Sequence, residues 1–303
     1  MEVLVADDDP TTRLMMKGSL ERLGYQVRLA TDGNEALAIL GSENPPRLAI
    51  LDWEMPGATG VEVCRWIRTG GDEPYTYIIL LTSRTSLSDI VEAMDAGADS
   101  FIRKPVEPNE LKARLRPGHR MLDLQRQLIR AREAYRYQAR HDGLTGLYNR
   151  SAIVEILKTA LESGPVSVAM LDVDHFKQIN DQLGHDVGDR VLVELGRVLT
   201  HSLRPEDAVG RLGGEEFLLV LPGVDTWEAA RVGERLRKRV EELQLTEQGR
   251  PLPVSISVGV ATAAAHTPYT ELLKRSDRTM YAAKHAGRNK VIVWSDDSPD
   301  MVA

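Results

Sequence analysis

The chain has 303 residues, 42% hydrophobic and 27% charged, which at about 150 residues per domain suggests two globular domains and excludes disordered, fibrous and collagen-like classes. Its single cysteine, Cys64, excludes an internal disulfide and an all-cysteine metal cage, and no apolar run approaches the roughly 18 residues of a membrane span. The expected setting is the reducing cytoplasm, with no membrane partner. The net charge of −7 is uneven, because residues 112–140 hold nine Lys/Arg against two Asp/Glu and leave −14 on the remainder.

In chain order, residues 3–6, 26–30, 48–51, 77–81 and 100–102 are short apolar runs that predict strands, with helical patterns between them. Five alternating units predict an α/β domain with a parallel, doubly wound sheet, in which ligands sit beyond the carboxyl ends of the strands. Asp7, Asp8 and Asp9 follow the first strand, and Asp52 ends the third. Carboxylates crowded this way are unfavourable without a cation, and an all-oxygen set suits Mg²⁺, with Mn²⁺ as an alternative. Thr82 ends the fourth strand and Lys104 follows the fifth, which adds a hydroxyl and an ammonium to the same edge. A cation, a carboxylate nucleophile, a hydroxyl and a lysine are what phosphoryl transfer to aspartate requires. Asp9, ahead of Pro10, reads as a helix N-cap, and Cys64 as a small core residue.

Residues 109–138 are helical in pattern, with a kink or break expected at Pro117-Gly118. Met121, Leu124, Leu128, Ala131 and Tyr135 recur at spacings of 3, 4, 3 and 4, the seam of a short parallel coiled coil with arginines on its flanks. The alternative is an amphipathic helix packed on its own domain. A grip on nucleic acid finds no helix-turn-helix unit to support it, so no nucleic-acid partner is expected.

A second, α+β pattern follows. Residues 151–162, 186–200, 227–243 and 269–285 predict helices, and 166–171, 254–260 and 291–294 predict strands. Residues 208–212 and 217–221 form the arms of a hairpin around Gly213-Gly214, and 296–303 are a frayed tail. The strand at 166–171 runs into Asp172, and the glycine turn runs into Glu215 and Glu216. These carboxylates need a divalent cation, while paired glycines let backbone approach a phosphate. Lys177 lies on the expected loop after Asp172, and Lys284 and Arg288 are four apart near the end of a helix, so the group reads as a metal and triphosphate site. Asn180 and Asp189 offer an amide and a carboxylate to the donor edge of guanine. His185 either contacts nucleotide or caps a helix, Arg288 either holds phosphate or neutralises a helix end, and Asp142 is a cap or junction contact.

The stretches VLVADDDP, LDWEMPGATG, LLTS and SFIRKP, in this order, resemble a response-regulator receiver domain over residues 1–116. The resemblance implies a flavodoxin-like fold, Asp52 as phospho-acceptor, Mg²⁺ held by Asp7, Asp8 and Asp52, and a cognate histidine kinase. It implies that Thr82 and Lys104 contact the phosphoryl group and that Phe101 reorients with Thr82. Residues 117–140 are then a helical coiled-coil linker.

DGLTGLYNR, LDVDHFKQINDQLGHDVGD, GRLGGEEF, SVGVA and DRTMYAAKHAGRNKV resemble a GGDEF-family diguanylate cyclase domain, in the GGEEF form, over residues 141–295. The resemblance implies condensation of two GTP into cyclic di-GMP and two pyrophosphates, by a homodimer or higher oligomer because each domain holds one GTP. It assigns Mg²⁺ to Asp172, Glu215 and the Val173 carbonyl, the base to Glu215, and charge stabilisation on phosphorus to Lys177. Asn180, His185, Asp189, Gly213 and Gly214 would bind nucleotide, with Lys284 and Arg288 on its phosphates. Arg204 and Asp207 match the RxxD site at which cyclic di-GMP inhibits these enzymes, with Arg235 as a second contact from a neighbouring domain. The alternative function is a weak cyclase-like domain serving as a cyclic di-GMP receptor.

Overall fold

A computed structural model of the chain describes residues 1–70, 75–84 and 86–295; the tail at 296–303 lies outside the described residues. The chain divides into two compact units, Met1–Glu133 and Ala134–Ala303.

The first unit alternates strand and helix: β1 (Glu2–Ala6), α1 (Pro10–Arg22), β2 (Gln26–Ala30), α2 (Gly33–Leu40), β3 (Leu48–Asp52), α3 (Gly60–Thr69), β4 (Tyr77–Thr82), α4 (Leu87–Asp95) and β5 (Ser100–Arg103). The strands pair in parallel in the order β2-β1-β3-β4-β5, the doubly wound arrangement expected. Alternation along each strand divides the core into two layers. Val3 and Val5 pack with Met16, Leu20, Leu111 and Leu115, while Leu4 and Ala6 pack with Ala36, Val61 and Cys64 on the opposite face. Cys64 is fully buried, and burial pushes its thiol up to about 11.

Helix α5 (Pro108–Arg140) runs unbroken through Pro117, against the expected break. A proline inside a helix costs about 3 kcal/mol through its missing N–H and its clash with the preceding turn. Three buried leucines, Leu111, Leu115 and Leu122, stabilise the helix from one side, each by roughly 1.5–3 kcal/mol. Gly118 gives the Tyr77 ring room, since a Cβ there would lie 2.6 Å from it. Packing therefore outweighs the local penalty. The expected coiled-coil seam stands in solvent, with Leu124 58%, Leu128 68% and Tyr135 73% exposed.

The second unit contains α6 (Arg150–Ser163), β6 (Val166–Val173), α7 (Phe176–Leu183), α8 (His185–His201), β7 (Ala208–Gly213), β8 (Glu216–Pro222), α9 (Thr226–Glu241), β9 (Thr246–Glu247), β10 (Arg250–Pro251), β11 (Ile256–Ala263), α10 (Tyr269–His285) and β12 (Val291–Val293). Its sheet order is β12-β11-β6-β8-β7, with β6 antiparallel to both neighbours. Ala169, Leu171 and Val173 of β6 face the core beneath α7, α8 and α9, whereas Val166, Val168 and Met170 face α6 and α10. The period of two places Asp172 on the α10 side.

Candidate functional site

In the first unit the carboxyl ends of β1, β3 and β5 converge. Lys104 Nζ lies 2.8 Å from Asp7 Oδ2 and 2.9 Å from Asp52 Oδ2. Asp7 is fully buried; its Oδ1 accepts the Asp9 N–H at 2.9 Å, and its Oδ2 pairs with the lysine. Asp52 Oδ1 accepts the Trp53 N–H at 2.9 Å. Burial pushes the Asp52 carboxyl up, opposed by the hydrogen bond from Lys104 and assisted by the charge of Asp7. Burial alone would lower the Lys104 ammonium, but its bonds to Asp52 and Asp7 hold it above its ordinary range. Among the described residues, Asp7, Asp8 and Asp52 offer oxygens within 4.8 Å of one another. Three carboxylates against one ammonium form an all-oxygen set with excess negative charge, which fits a hard cation such as Mg²⁺.

Thr82 is buried and its Oγ1 accepts the Arg84 N–H at 2.9 Å. The Thr82 carbonyl accepts the Lys104 N–H at 2.9 Å, which joins hydroxyl and lysine on neighbouring strand ends. Phe101 is half-buried, with the Arg114 guanidinium 5.6 Å from its ring centroid. Asp9 caps α1 by accepting from the Thr11 and Thr12 N–H groups, as expected.

The second unit builds another acidic centre. Asp172 is buried at the end of β6, opposite Glu216 of β8, and Lys284 of α10 pairs with its Oδ2 at 2.7 Å. Burial pushes the Asp172 carboxyl up to about 6; Lys284 opposes the shift, and the charges of Glu215 and Glu216 add to it. The Val173 N–H donates to the Glu215 carbonyl at 3.3 Å, which pins the glycine turn against the strand end. Gly213 and Gly214 have φ of +148° and +51°, and a Cβ on either would meet nothing within 4 Å, so open space lies above the turn. Two carboxylates, a backbone carbonyl and this open backbone fit a divalent cation with phosphate oxygens.

Lys177 lies on the first turn of α7 and not on the expected loop. Helix α7 starts at His175, which is left-handed at φ +58° and supplies no side-chain cap, so the usual start signal is missing. Asn180 of α7 packs against Gly188 of α8, where a Cβ would fall 1.9 Å from Asn180 Oδ1, and Asp189 is the next residue of α8, exposed. That Oδ1 is buried and has no partner, an unsatisfied acceptor at the contact of α7 with α8. A cleft of about 630 Å³ opens beside Asp189, with Leu144, Asp186 and Leu245 on its walls. His185 is exposed and does not cap α8, because Gly184 holds that position. Helix α10 ends at His285 and Arg288 lies beyond it, exposed, at φ +60°.

Arg204 and Asp207 meet on the turn before β7, where the Arg204 N–H donates to Asp207 Oδ2 at 3.0 Å. Arg204 Nη2 also pairs with Glu228 of α9 at 3.3 Å, and Arg235 Nη2 donates to the Ser202 carbonyl at 2.9 Å. Arg235 of α9 thus reaches the segment that leads into Arg204.

Two residues gain roles the sequence did not single out. Arg211 donates to the Gly214 carbonyl at 2.7 and 2.9 Å and pairs with Asp142 at 3.1 Å, so Asp142 ties the start of the second domain to the glycine turn. Asp174, two residues after Asp172, is buried and bonded to three residues on two separate segments, Ser255 and Ser257 on one and Asn289 on the other.

These two centres define a receiver-like domain followed by a nucleotidyl-cyclase-like one. The chain belongs to the family described as diguanylate cyclase, GGDEF domain, whose model matches residues 139–290, and residues 3–116 match the response regulator receiver domain. It is 32% identical to the response regulator PleD of Caulobacter vibrioides, across 96% of this chain and 65% of PleD. It is 37% identical to the diguanylate cyclase DosC of Escherichia coli, across 54% of this chain and 36% of DosC. Among solved structures, the coiled coil and GGDEF domain of DgcB from Caulobacter crescentus in complex with c-di-GMP aligns with TM-score 0.54 and 30% identity, covering 60% of this chain and 98% of that one. SiaD from Pseudomonas aeruginosa, in complex with its activator SiaC, aligns with TM-score 0.51 and 39% identity, covering 61% and 74%. Among the described residues, no helix is long and apolar enough to cross a membrane.

Proposed function

We propose that the chain is a diguanylate cyclase of the cytoplasm, controlled by phosphorylation and inhibited by its product. The observation that carries this reading is the contact between the end of β6 and the glycine turn. It sets buried Asp172 beside Glu215, with Lys284 at hand for phosphate.

Asp172, Glu215 and the Val173 carbonyl would hold Mg²⁺, or Mn²⁺, which when bound neutralises the triphosphate and lowers the pKa of a coordinated hydroxyl. Asn180 Oδ1 and the Asp189 carboxylate accept N–H groups of guanine, and His185 borders the nucleotide. Glu215 accepts the proton of the ribose 3′-hydroxyl. The 3′-oxygen then bonds to the α-phosphorus of the second GTP while the bond from that phosphorus to the bridging oxygen breaks. Pyrophosphate leaves, and Lys177, Lys284 and Arg288 stabilise the charge that develops. The same step in the opposite sense closes the twelve-membered ring. One domain presents one GTP, so two copies must meet face to face, and rate becomes a matter of proximity.

Residues 1–116 are the control domain in this reading. A histidine kinase supplies the phosphoryl group to Asp52, with Asp7 and Asp8 holding Mg²⁺ and Lys104 moving onto the new charge. The modification adds about 1.5–2 negative charges, draws Thr82 and Phe101 inward and reshapes the face around β4 and β5. Residues 117–140 transmit this through the exposed Leu124, Leu128 and Tyr135 seam, which a second copy would cover, and residues 141–295 carry out the synthesis. Cyclic di-GMP returning to Arg204, Asp207 and Arg235 would arrest it.

Chromatography of the products formed from GTP and Mg²⁺ tests the reading. Cyclic di-GMP and pyrophosphate in a 1:2 ratio, absent with Asp172→Ala, support it. Protein that forms neither product, with or without a beryllium fluoride mimic of phosphorylation, overturns it.

A further inference from the structure

Beyond α10 the chain makes a turn in which Gly287, Arg288 and Asn289 lie at φ +105°, +60° and +48°. Two consecutive non-glycine residues in the left-handed region are costly, and such a turn persists only where its surroundings over-determine it. Here they do. The Asn289 N–H donates to Asp174 Oδ2 at 3.0 Å. Its side-chain oxygen accepts from Arg237 Nη1 at 2.7 Å, and its amide donates to Glu241 Oε1 at 2.8 Å. Arg237 is itself held by Glu234 at 2.8 and 2.9 Å and by Glu241 at 2.8 Å. At the other end, Asp174 accepts the hydroxyls of Ser255 at 2.7 Å and Ser257 at 2.6 Å, and its N–H donates to the Ser255 carbonyl at 2.9 Å. A buried carboxylate, two serines of the neighbouring strand segment and a surface ion-pair cluster of α9 thus converge on one asparagine.

The placement has a consequence for phosphate. The end of β6 is joined to the end of α10 by side chains at two points, Asp172 with Lys284 and Asp174 with the Asn289 N–H. If Asp172 takes a metal and Lys284 turns to the triphosphate, the first joint opens. The second involves no phosphate-holding group and stays closed. Along the chain Arg288 lies between Lys284 and Asn289, with its backbone held in the left-handed region.

We propose that Asp174 and Asn289 are positioning residues that act through Arg288: they hold the 287–289 turn at the metal-bearing end of β6, so that Arg288 stays aimed at the triphosphate after Lys284 releases Asp172. This rests on the reading of Arg288 as a phosphate-holding residue. The loss of two side-chain bonds in Asn289→Ala should weaken binding of a GTP analogue that is not turned over, and raise KM for GTP, by about fivefold, with kcat changed by less than about twofold. Arg288→Ala should do so by about tenfold.

The test is the double variant on the full chain, with Kd measured by calorimetry and KM and kcat by product formation. Residues that act through one another are non-additive, so Asn289→Ala/Arg288→Ala should match Arg288→Ala alone to within about twofold. A further fivefold loss on top of Arg288→Ala overturns the proposal, because the asparagine would then act independently of the arginine. An unchanged Kd and KM in Arg288→Ala itself removes the phosphate reading of Arg288, a different failure that takes the proposal with it. Should Asn289→Ala fail to fold, Glu241→Ala on the exposed side of the cluster serves instead. About a twofold rise in Kd that vanishes in the Arg288→Ala background supports the proposal, and no rise contradicts it.

Discussion

The two acidic centres solve one problem with different sheets. Each sets a buried aspartate at a strand end and neutralises it with a lysine from another element, Lys104 for Asp7 and Asp52 and Lys284 for Asp172. In the parallel receiver sheet every carboxyl end points the same way, so three strands deliver their groups to one edge and a single lysine bridges two acids. In the second sheet β6 runs antiparallel to β8, so a strand end meets a hairpin turn, and the partner carboxylates arrive on the glycine turn. The first arrangement suits the phosphoryl acceptance proposed for Asp52, with acids and a lysine fixed at strand ends. The second leaves one face open, with bare backbone, for a large polyanion. Rigid strand ends thus suit a switch, while a turn suits a substrate that must enter and leave.

Four measurements would break or sharpen this contrast. The largest effect separates the centres: Asp172→Ala should lower cyclic di-GMP formation by at least about 10³-fold, whereas Asp52→Ala should leave unstimulated synthesis within about twofold. Equal losses in a product assay would mean that the two centres are not distinct. Next come the lysines. Lys104→Met leaves two carboxylates unpaired and should cost about 3 kcal/mol, more than Lys284→Met, which strands only Asp172; calorimetry of the full chain should show the larger fall in Tm for Lys104→Met. Third, the Asp172 carboxyl stands at about 6 against an ordinary 3.8. A group raised on folding contributes stability below its unfolded value and loses it as pH rises through the folded one. Metal-free protein should therefore lose on the order of 2 kcal/mol between pH 4 and pH 7 that Asp172→Asn retains; parallel denaturation curves at both pH values would contradict the burial account. Smallest, Gly188→Ala should push the Asn180 amide aside and raise KM for GTP by about tenfold, and an unchanged KM would remove Asn180 from guanine recognition.

Most of the framework was legible because both signals are local. Short continuous apolar runs marked each strand of the first unit, and an acid or hydroxyl stood directly at three strand ends, as at Asp7, Asp52 and Thr82. What escaped depends on partners distant in sequence. Asp174 reads as one more acid beside Asp172 until Ser257 and Asn289 are folded against it. Arg211 gains meaning only when Asp142 reaches it across 69 positions. Helix α7 has only eight residues and starts without a capping side chain. Pro117 was expected to kink or break α5 because the penalty is local; the helix is not broken, since Leu111, Leu115 and Leu122 outweigh the penalty through burial against the sheet.

The central claim is that the receiver governs the meeting of two half-sites. Initial rates of cyclic di-GMP synthesis, measured across protein concentration with and without beryllium fluoride, test it most directly. The account predicts specific activity that rises with concentration, a curve that beryllium fluoride moves to lower concentration, and no such movement in Asp52→Asn. Specific activity independent of concentration, or an equal response to beryllium fluoride in Asp52→Asn, would contradict it.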